Sequence, residues 1–268
     1  MSEPWLVPDW PAPARVRALS TFRWGGQSAG RYASLNLGDH VGDSTAAVAA
    51  NRKHLMRAAA LAAEPTWLRQ VHGTAAANLD ELPVSALPPA ADAAYTRRAG
   101  PICAVLTADC VPILLAADAG DLVVAIHAGW RGLAAGIVAA TLRGVRTRPQ
   151  DLVAWIGPCI GREHYEVGAE VRNAICGQSA AADAAFRANE QGRYLADLPL
   201  LARQQLAAAG VSRIYGGSEC TYGNPQRYFS HRRDGETGRQ ATLIWLDAEP
   251  SQPHGGMPRM MPGVNRPG

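Results

Sequence analysis

The sequence contains no apolar run long enough to cross a membrane. Its longest apolar stretches, such as residues 113–117 and 122–126, have the length of single β-strands, whereas a spanning helix needs about 20 apolar residues. The N-terminus also lacks the basic segment and apolar core of a secretory leader, since residues 1–4 include an acid and a proline. We therefore expect a cytoplasmic protein that has no membrane partner.

Lysine is almost absent, because Lys53 is the only one, and no run of arginines replaces it. A net charge of +3 without a basic cluster argues against a nucleic-acid partner. The five cysteines are odd in number and not closely paired, which indicates reduced thiols rather than a disulfide framework. With 47% hydrophobic and 18% charged residues, the chain of 268 residues has the composition of a globular protein.

The pattern of elements predicts one domain over residues 1–248 and a flexible tail, rich in Pro, Gly and Met, over residues 249–268. A helix is predicted from the caps at 43–45 to about residue 63, and others at about 130–145, 170–176 and 197–209. The central strands are apolar throughout, so we expect a sheet that is covered on both faces. Strands are predicted at residues 16–24, 67–71, 102–106, 112–116, 122–126, 152–156, 211–215 and 242–246.

Three candidate metal ligands share one context. His72, Cys110 and His127 each lie at or just past the end of a short apolar strand. Strand ends meet at one edge of a sheet, where loops build sites, and thiolate and imidazole are ligands that zinc prefers. Three protein ligands with a fourth position open are typical of catalytic zinc. On spacing alone, a buried structural cysteine and two structural histidines are the alternative.

The segment after His127 adds a candidate anion site. Gly129 and Gly132 permit close backbone approach, and Arg131 falls in the first turn of the predicted helix. A helix N-terminus carries free N–H groups and a positive dipole end, so an arginine there suits a phosphate or carboxylate ligand. The alternative is a solvated surface charge.

Three blocks of the sequence surround the candidate ligands: LRQVHG at 68–73, ADCVP at 108–112 and HAGWRG at 127–132. Further blocks are YASLNLG at 32–38, VGD at 41–43, NR at 51–52, GPCIG at 157–161, YEVG at 165–168, CTY at 220–222 and FSHRRDG at 229–235. Together these blocks resemble the laccase-domain family, whose bacterial members have been called polyphenol oxidases, purine nucleoside phosphorylases and peptidoglycan editing factors. The resemblance covers roughly residues 18–246, and Gln27 and His231 depart from the family pattern.

This resemblance implies that His72, Cys110 and His127 hold a zinc ion, with Cu²⁺ as a less favoured occupant. It implies a single α/β (α+β) domain with mixed β-sheets and flanking helices, related in architecture to cysteine hydrolase-like folds. It also implies phosphorolysis of adenosine, inosine and methylthioadenosine, together with deamination of adenosine. The expected partners are therefore purine nucleosides and phosphate, acting on a monomer or a homodimer.

The implied reactions suggest catalytic and substrate-binding roles for residues in and near these blocks. Cys110 and Asp109 are candidate catalytic residues; Asp109 either shuttles a proton or orients a metal ligand through a hydrogen bond. Arg131 is the first candidate for the phosphate and Arg52 the second. Asn36, Gln70 and Tyr165 are candidates for ribose or base, with loop-shaping hydrogen bonds as the alternative. Arg232 and Arg233 either cap the pocket or face water.

Three other functions are compatible with parts of the pattern. Cys110 could act as a nucleophile with a histidine base, which suits a hydrolase that removes L-Ser-containing errors from a peptidoglycan precursor. Copper-dependent phenol oxidation is disfavoured, because several copper sites need many histidines and the chain has seven. A purely structural zinc would need a fourth ligand, for which Cys159 and His164 are the candidates.

Overall fold

The computed structural model describes residues 4–83 and 87–248, which form thirteen strands and six α-helices. The helices are α1 Thr45–Ala58, α2 Trp130–Ala135, α3 Ile137–Val145, α4 Ala169–Cys176, α5 Leu198–Ala208 and α6 His231–Asp234. The strands are β1 Trp5–Leu6, β2 Val16–Thr21, β3 Ala76–Asn78, β4 Ala93–Thr96, β5 Ile102–Thr107, β6 Val111–Ala117, β7 Val123–Ala128, β8 Leu152–Ile156, β9 Glu166–Val167, β10 Phe186–Ala188, β11 Tyr194–Ala196, β12 Arg213–Gly216 and β13 Gln240–Leu246.

The strands form three sheets. The largest has the order β12-β8-β6-β7-β4-β3, with parallel pairs at its two edges and antiparallel pairs between them. A second sheet has the order β1-β2-β13-β5 and is antiparallel throughout. The short strands β10, β11 and β9 form the third. The expected α/β (α+β) fold with mixed sheets and flanking helices is confirmed.

The two large sheets are stacked between layers of helices. Side chains of β6 alternate between two cores: Ile113 and Leu115 pack with α2, α3, α4 and α5, whereas Leu114 and Ala116 face the four-stranded sheet. The outer face of the four-stranded sheet packs against Leu55 of α1. Every residue of β5, β6, β7 and β8 is buried, so the predicted coverage of both faces is confirmed.

Two predicted helices differ from those observed. Helix α1 ends at Ala58, because Ala60 adopts a left-handed φ of 48° and the Leu61 N–H reaches back to the Met56 carbonyl, which lets Leu61 enter the core. The helix predicted over 130–145 is two helices, α2 and α3. Gly136 separates them with a φ of 80°, a conformation that glycine adopts without a steric penalty.

The strand predicted at 67–71 is wrong. This segment is extended but unpaired by any neighbouring strand, apart from a single bridge between Thr66 and Cys103. Strands β3 and β4, which extend the large sheet, were not predicted, and neither was the third sheet. No helix in the described part of the chain is long and apolar enough to cross a membrane. The tail predicted at 249–268 lies outside the described residues.

Candidate metal centre

The three predicted ligands meet where β5 and β7 end and β6 begins. Cys110 lies in the bend between β5 and β6, and His127 is the penultimate residue of β7. The register pairs Pro112 with His127, so Cys110 and Gly129 emerge next to each other. His72 approaches from the extended 67–71 segment and adopts a left-handed φ of 57°. Sheet register, rather than closeness in sequence, therefore assembles the site.

The ligand atoms of His72, Cys110 and His127 all lie within 4.8 Å of one another. The Cys110 Sγ is 3.9 Å from the His72 Nε2, and the two imidazole rings meet edge to face with centroids 4.8 Å apart. Zinc–sulfur and zinc–nitrogen bonds of ordinary length place tetrahedral ligand atoms roughly 3.5 Å apart. A small contraction therefore suits the cluster to one metal ion.

Gly129 leaves room for this cluster. A Cβ at this position would lie 2.9 Å from both the Cys110 Sγ and the His72 Cδ2. Any side chain there would press on two of the three ligands.

A buried carboxylate that the sequence analysis missed holds both histidines. Asp92 is fully buried, and its Oδ1 accepts a hydrogen bond from the His127 Nδ1 at 2.8 Å and from the His72 N–H at 2.9 Å. Its Oδ2 accepts from the N–H groups of Val71 and Gly73 at 3.2 and 2.7 Å. Because His127 Nδ1 is occupied, its Nε2 is left for the metal. Three successive N–H groups aimed at one carboxylate also stabilise the left-handed turn at His72.

The charges in the cluster stabilise one another. Burial alone raises the pKa of the Cys110 thiol, but His127 and His72 outweigh burial and lower it below its usual value. Burial likewise opposes protonation of His127, while Cys110 and Asp92 raise its pKa. Burial raises the pKa of the Asp92 carboxyl, but the hydrogen bonds from His127 and the backbone bring it below the usual range. A thiolate, the form that binds metal, is therefore favoured at Cys110.

Asp109, the predicted proton shuttle or orienting residue, is buried beside Cys110 with both carboxylate oxygens engaged. Its Oδ1 accepts from the Thr221 hydroxyl at 2.6 Å, and its Oδ2 accepts from the Arg232 N–H at 2.7 Å. The Asp109 carbonyl accepts from the Ile160 N–H at 2.9 Å. These contacts connect the metal-binding bend to the C-terminal part of the chain.

Three predicted substrate residues are anchored to nearby backbone. The Gln70 amide bonds both the N–H and the carbonyl of Leu106 at 2.8 Å, so it replaces a strand partner. Asn36 is fully buried, and its amide bonds Gly38, Asp43 and the Arg239 N–H.

Arg52 donates to the Leu37 carbonyl, forms an ion pair with Asp39 at 3.3 Å and lies over the Trp67 ring. All three of these side chains therefore shape loops that border the site.

The other predicted residues lie closer to the cluster. The Arg232 guanidinium covers the Tyr165 ring at 4.7 Å and donates to the Glu166 carbonyl. Burial raises the pKa of the Tyr165 phenol, the charge of Cys110 raises it further, and the charge of Arg232 acts in the opposite direction. Arg131 is exposed and lies over the Trp130 ring at 4.4 Å. Its helix α2 has only six residues, which weakens the expected helix-dipole contribution.

The remaining candidates lie outside the cluster. Arg233 is tied to the carbonyls of Thr221, Tyr222 and Tyr228 and to Asp234. His164 stacks on Tyr222, and Cys159 forms a β-bridge with Cys220. Within the described ranges, the metal-binding cluster has three members and neither Cys159 nor His164 is among them. Three protein ligands are typical of a catalytic zinc site, in which water or substrate takes the fourth coordination position, whereas a structural site usually has four protein ligands.

Fold and site together define a mixed α/β protein with a His-Cys-His cluster that could hold a metal ion. A family model described as multi-copper polyphenol oxidoreductase laccase matches residues 17–247, and the chain belongs to this family. Purine nucleoside phosphorylase YfiH of Shigella flexneri is 48% identical over 241 residues, covering 90% of this chain and 98% of the relative. Purine nucleoside phosphorylase PA4543 of Pseudomonas aeruginosa is 45% identical over 243 residues, with shares of 90% and 98%.

Solved structures agree with this assignment. Protein NMB0706 of Neisseria meningitidis superposes with a TM-score of 0.87 at 44% identity, covering 92% of this chain and 100% of its own. YlmD from Geobacillus stearothermophilus has a TM-score of 0.85 at 35% identity, with shares of 92% and 98%. The family resemblance seen in the sequence is therefore confirmed.

Proposed function

We propose that the protein is a zinc-dependent purine nucleoside phosphorylase that acts on adenosine, inosine and methylthioadenosine and also deaminates adenosine. The observation that carries this proposal is the cluster of His72, Cys110 and His127, which has three protein ligands among the described residues. The names of the near-full-length relatives support the phosphorylase activity.

The donor set supports zinc over copper at this site. Imidazole and thiolate are zinc ligands, three protein ligands with an open fourth position are typical of catalytic zinc, and neither proposed reaction transfers electrons. When bound, the metal would supply a Lewis acid and lower the pKa of a bound water. Metal analysis of the purified protein tests this assignment: one equivalent of zinc is expected, and stoichiometric copper would contradict it.

In phosphorolysis, the C1′–N9 bond of the nucleoside breaks and its electron pair leaves with the purine, which takes up a proton. A phosphate oxygen forms the new bond to C1′, giving ribose 1-phosphate. Positive charge grows on the ribose as the bond breaks, so a bound phosphate dianion stabilises the transition state. Arg131, which is exposed in α2, would add positive charge for the phosphate. Tyr165, whose raised pKa keeps its phenol protonated, donates a hydrogen bond to ribose or base.

The other predicted residues act through position. Asn36, Arg52 and Gln70 hold the loops that form the pocket wall, through the backbone hydrogen bonds described above. Asp109 fixes the Cys110 bend against Thr221 and acts in deamination as a positioning residue. In that reaction water attacks C6 of adenosine, ammonia leaves, and inosine is formed.

One experiment separates the candidate activities. The zinc-loaded enzyme is incubated with inosine, with and without phosphate, and the products are resolved by chromatography. We expect hypoxanthine and ribose 1-phosphate only when phosphate is present. Hypoxanthine with free ribose in both samples would indicate a hydrolase. No turnover of nucleosides, combined with turnover of an L-Ser-containing muropeptide precursor, would replace the proposal with the editing function.

The setting proposed for this activity is the cytoplasm, as a monomer or a homodimer. All five cysteines are free thiols, which suits a reducing compartment.

A further inference from the structure

Arg239 lies beside the metal-binding bend, although no step described so far uses it. Gln240, the first residue of β13, pairs with Thr107, the last residue of β5. Arg239 is the residue before Gln240, so the antiparallel register places it next to Ala108, two residues from Cys110. Arg239 therefore reaches the metal-binding bend from the four-stranded sheet, whereas His127 lies on β7 of the large sheet.

The backbone around Arg239 is fixed by the Asn36 loop. The Arg239 N–H donates to the Asn36 Oδ1 at 2.9 Å, and the Arg239 carbonyl accepts from the Leu37 N–H at 3.1 Å. The aliphatic part of the side chain crosses Gly38, where a Cβ would lie 2.8 Å from the Arg239 Cγ. The arginine is thus held in a slot that only glycine at 38 leaves open.

The guanidinium is anchored along one edge only. Its Nη1 donates to the carbonyls of Thr237 and Gly238 at 2.9 and 3.0 Å. Among the residues that the structure describes, Nε and Nη2 have no hydrogen-bond acceptor. Neither nitrogen is a fully buried polar atom without a partner. Nε–H and Nη2–H point in the same direction, and this fork matches two oxygens of one tetrahedral oxyanion.

No carboxylate in the described ranges forms an ion pair with Arg239. Arg52, in contrast, pairs with Asp39 at 3.3 Å, and Arg233 pairs with Asp234 at 2.7 Å. A partly buried guanidinium remains charged, and leaving it without a counterion is unfavourable unless an anion binds there. Arg131 also has no ion pair among the described residues, but it is exposed and its guanidinium lies over the Trp130 ring at 4.4 Å.

The groups that face Arg239 show what surrounds the open edge. Burial lowers the pKa of Arg239, whereas the charges of Cys110, Asp109 and Tyr32 act in the opposite direction. His40 lies on the far side: burial lowers its pKa first, and the Arg239 charge lowers it further. The register with β5 and the contacts with Asn36 and Gly38 place Arg239 between the metal-binding bend and the 36–38 loop.

We propose that Arg239 is the residue that binds the phosphate co-substrate, through the fork of Nε–H and Nη2–H left open by its anchored Nη1. This inference rests on the proposed phosphorylase function. It assigns the direct contact with phosphate to Arg239, and the exposed Arg131 would add positive charge nearby without that contact. Bound phosphate would lie beside the metal centre, where its oxygen can approach C1′ of a nucleoside held near Tyr165.

The test compares Arg239→Gln and Arg239→Lys with the wild type, all loaded with zinc. Inorganic phosphate binding is measured by titration calorimetry without nucleoside, and KM values for phosphate and inosine are measured by chromatography. Loss of the charged fork should weaken phosphate binding and raise its KM by about 10- to 100-fold in Arg239→Gln. The KM for inosine should change far less. Arg239→Lys retains the charge but not the fork and should recover only part of the loss.

Zinc content and the thermal midpoint identify a variant that fails to fold; if Arg239→Gln fails, Arg239→Lys carries the test alone. Arg143→Gln, in the last turn of α3 and exposed, is the matched control and should keep the wild-type KM for phosphate. Unchanged phosphate binding in both Arg239 variants, or no phosphate binding to the wild type, overturns the inference. Phosphate binding lost in the variants of an enzyme that does not phosphorolyse nucleosides would leave the anion site standing and reject the phosphorylase function.

Discussion

Substitution of Asp92 should weaken metal binding, although Asp92 is not one of the three predicted ligands. Its Oδ1 accepts from the His127 Nδ1 and the His72 N–H, and its Oδ2 accepts from the N–H groups of Val71 and Gly73. An asparagine has the same size, but in either orientation its NH₂ group faces two of these donors. Asp92→Asn therefore loses two acceptor contacts and introduces two donor–donor contacts.

The size of the effect follows from these contacts. Loss of the carboxylate that orients a metal-bound histidine lowers metal affinity by about 10- to 100-fold. Removing one partner from a buried charged network destabilises the fold by about 3–5 kcal/mol, which sets the expectation for Asp92→Ala. Asp92→Asn should lose somewhat less stability because the cavity stays filled. The zinc dissociation constant is measured by competition with a chromogenic chelator, and the free energy of unfolding by urea titration.

Asp80→Asn is the matched control. Asp80 accepts from the Thr96 hydroxyl at 2.6 Å and from the Arg97 N–H at 2.9 Å, at the opposite end of β4 from Asp92. It should lower stability and leave zinc affinity unchanged. If Asp92→Asn binds zinc within threefold of the wild type, Asp92 supports the fold but does not position the ligands, and the reasoning above is refuted.

Three further changes test the site and its surroundings. Cys110→Ala should lose stoichiometric zinc by elemental analysis while Cys176→Ala on α4 keeps it; full zinc in the first variant would remove the site. Gly129→Ala should also lose zinc, because its Cβ would lie 2.9 Å from two metal-ligand side chains. Gly144→Ala, whose Cβ meets nothing within 4 Å, should keep zinc and gain up to about 1 kcal/mol. Gln70→Ala removes two hydrogen bonds to β5 and should lower the free energy of unfolding by about 2 kcal/mol in urea titration; an unchanged value would contradict the strand-partner role.

The central strands could be predicted because they are buried on both faces. Such strands appear in the sequence as continuous apolar runs, and β8 was predicted with its observed bounds. The 67–71 segment has a similar local character, but it is joined to β5 through the side chain of Gln70 rather than through a ladder of backbone hydrogen bonds. Local apolarity indicates that a segment is buried and cannot indicate which groups satisfy its backbone.

The grouping of His72, Cys110 and His127 could be predicted because each lies at or just past the end of an apolar run, although the run before His72 is not a strand. Asp92 could not, although a carboxylate between alanines at the start of β4 is a weak signal of a buried acceptor. Its partner His127 is 35 positions away in the sequence. Arg239 depends on a hydrogen bond to Asn36 across 203 positions. Contacts of that range follow from the order of strands in a sheet, which the sequence pattern alone does not determine.

The predicted metal ligands and the residues proposed to bind substrate lie in different parts of the chain. The three ligands and Asp92 lie within residues 72–127, whereas Tyr165, Arg232 and Arg239 come later in the chain. Asp109 joins the two parts, because its carboxylate accepts hydrogen bonds from Thr221 and from the N-terminal turn of α6. The predicted metal ligands and Asp92 therefore lie on β7 and on the loops beside β4, β5 and β6, whereas Arg239 is brought to them only when β13 pairs with β5. Changes after residue 220 should accordingly alter substrate KM before they alter zinc content.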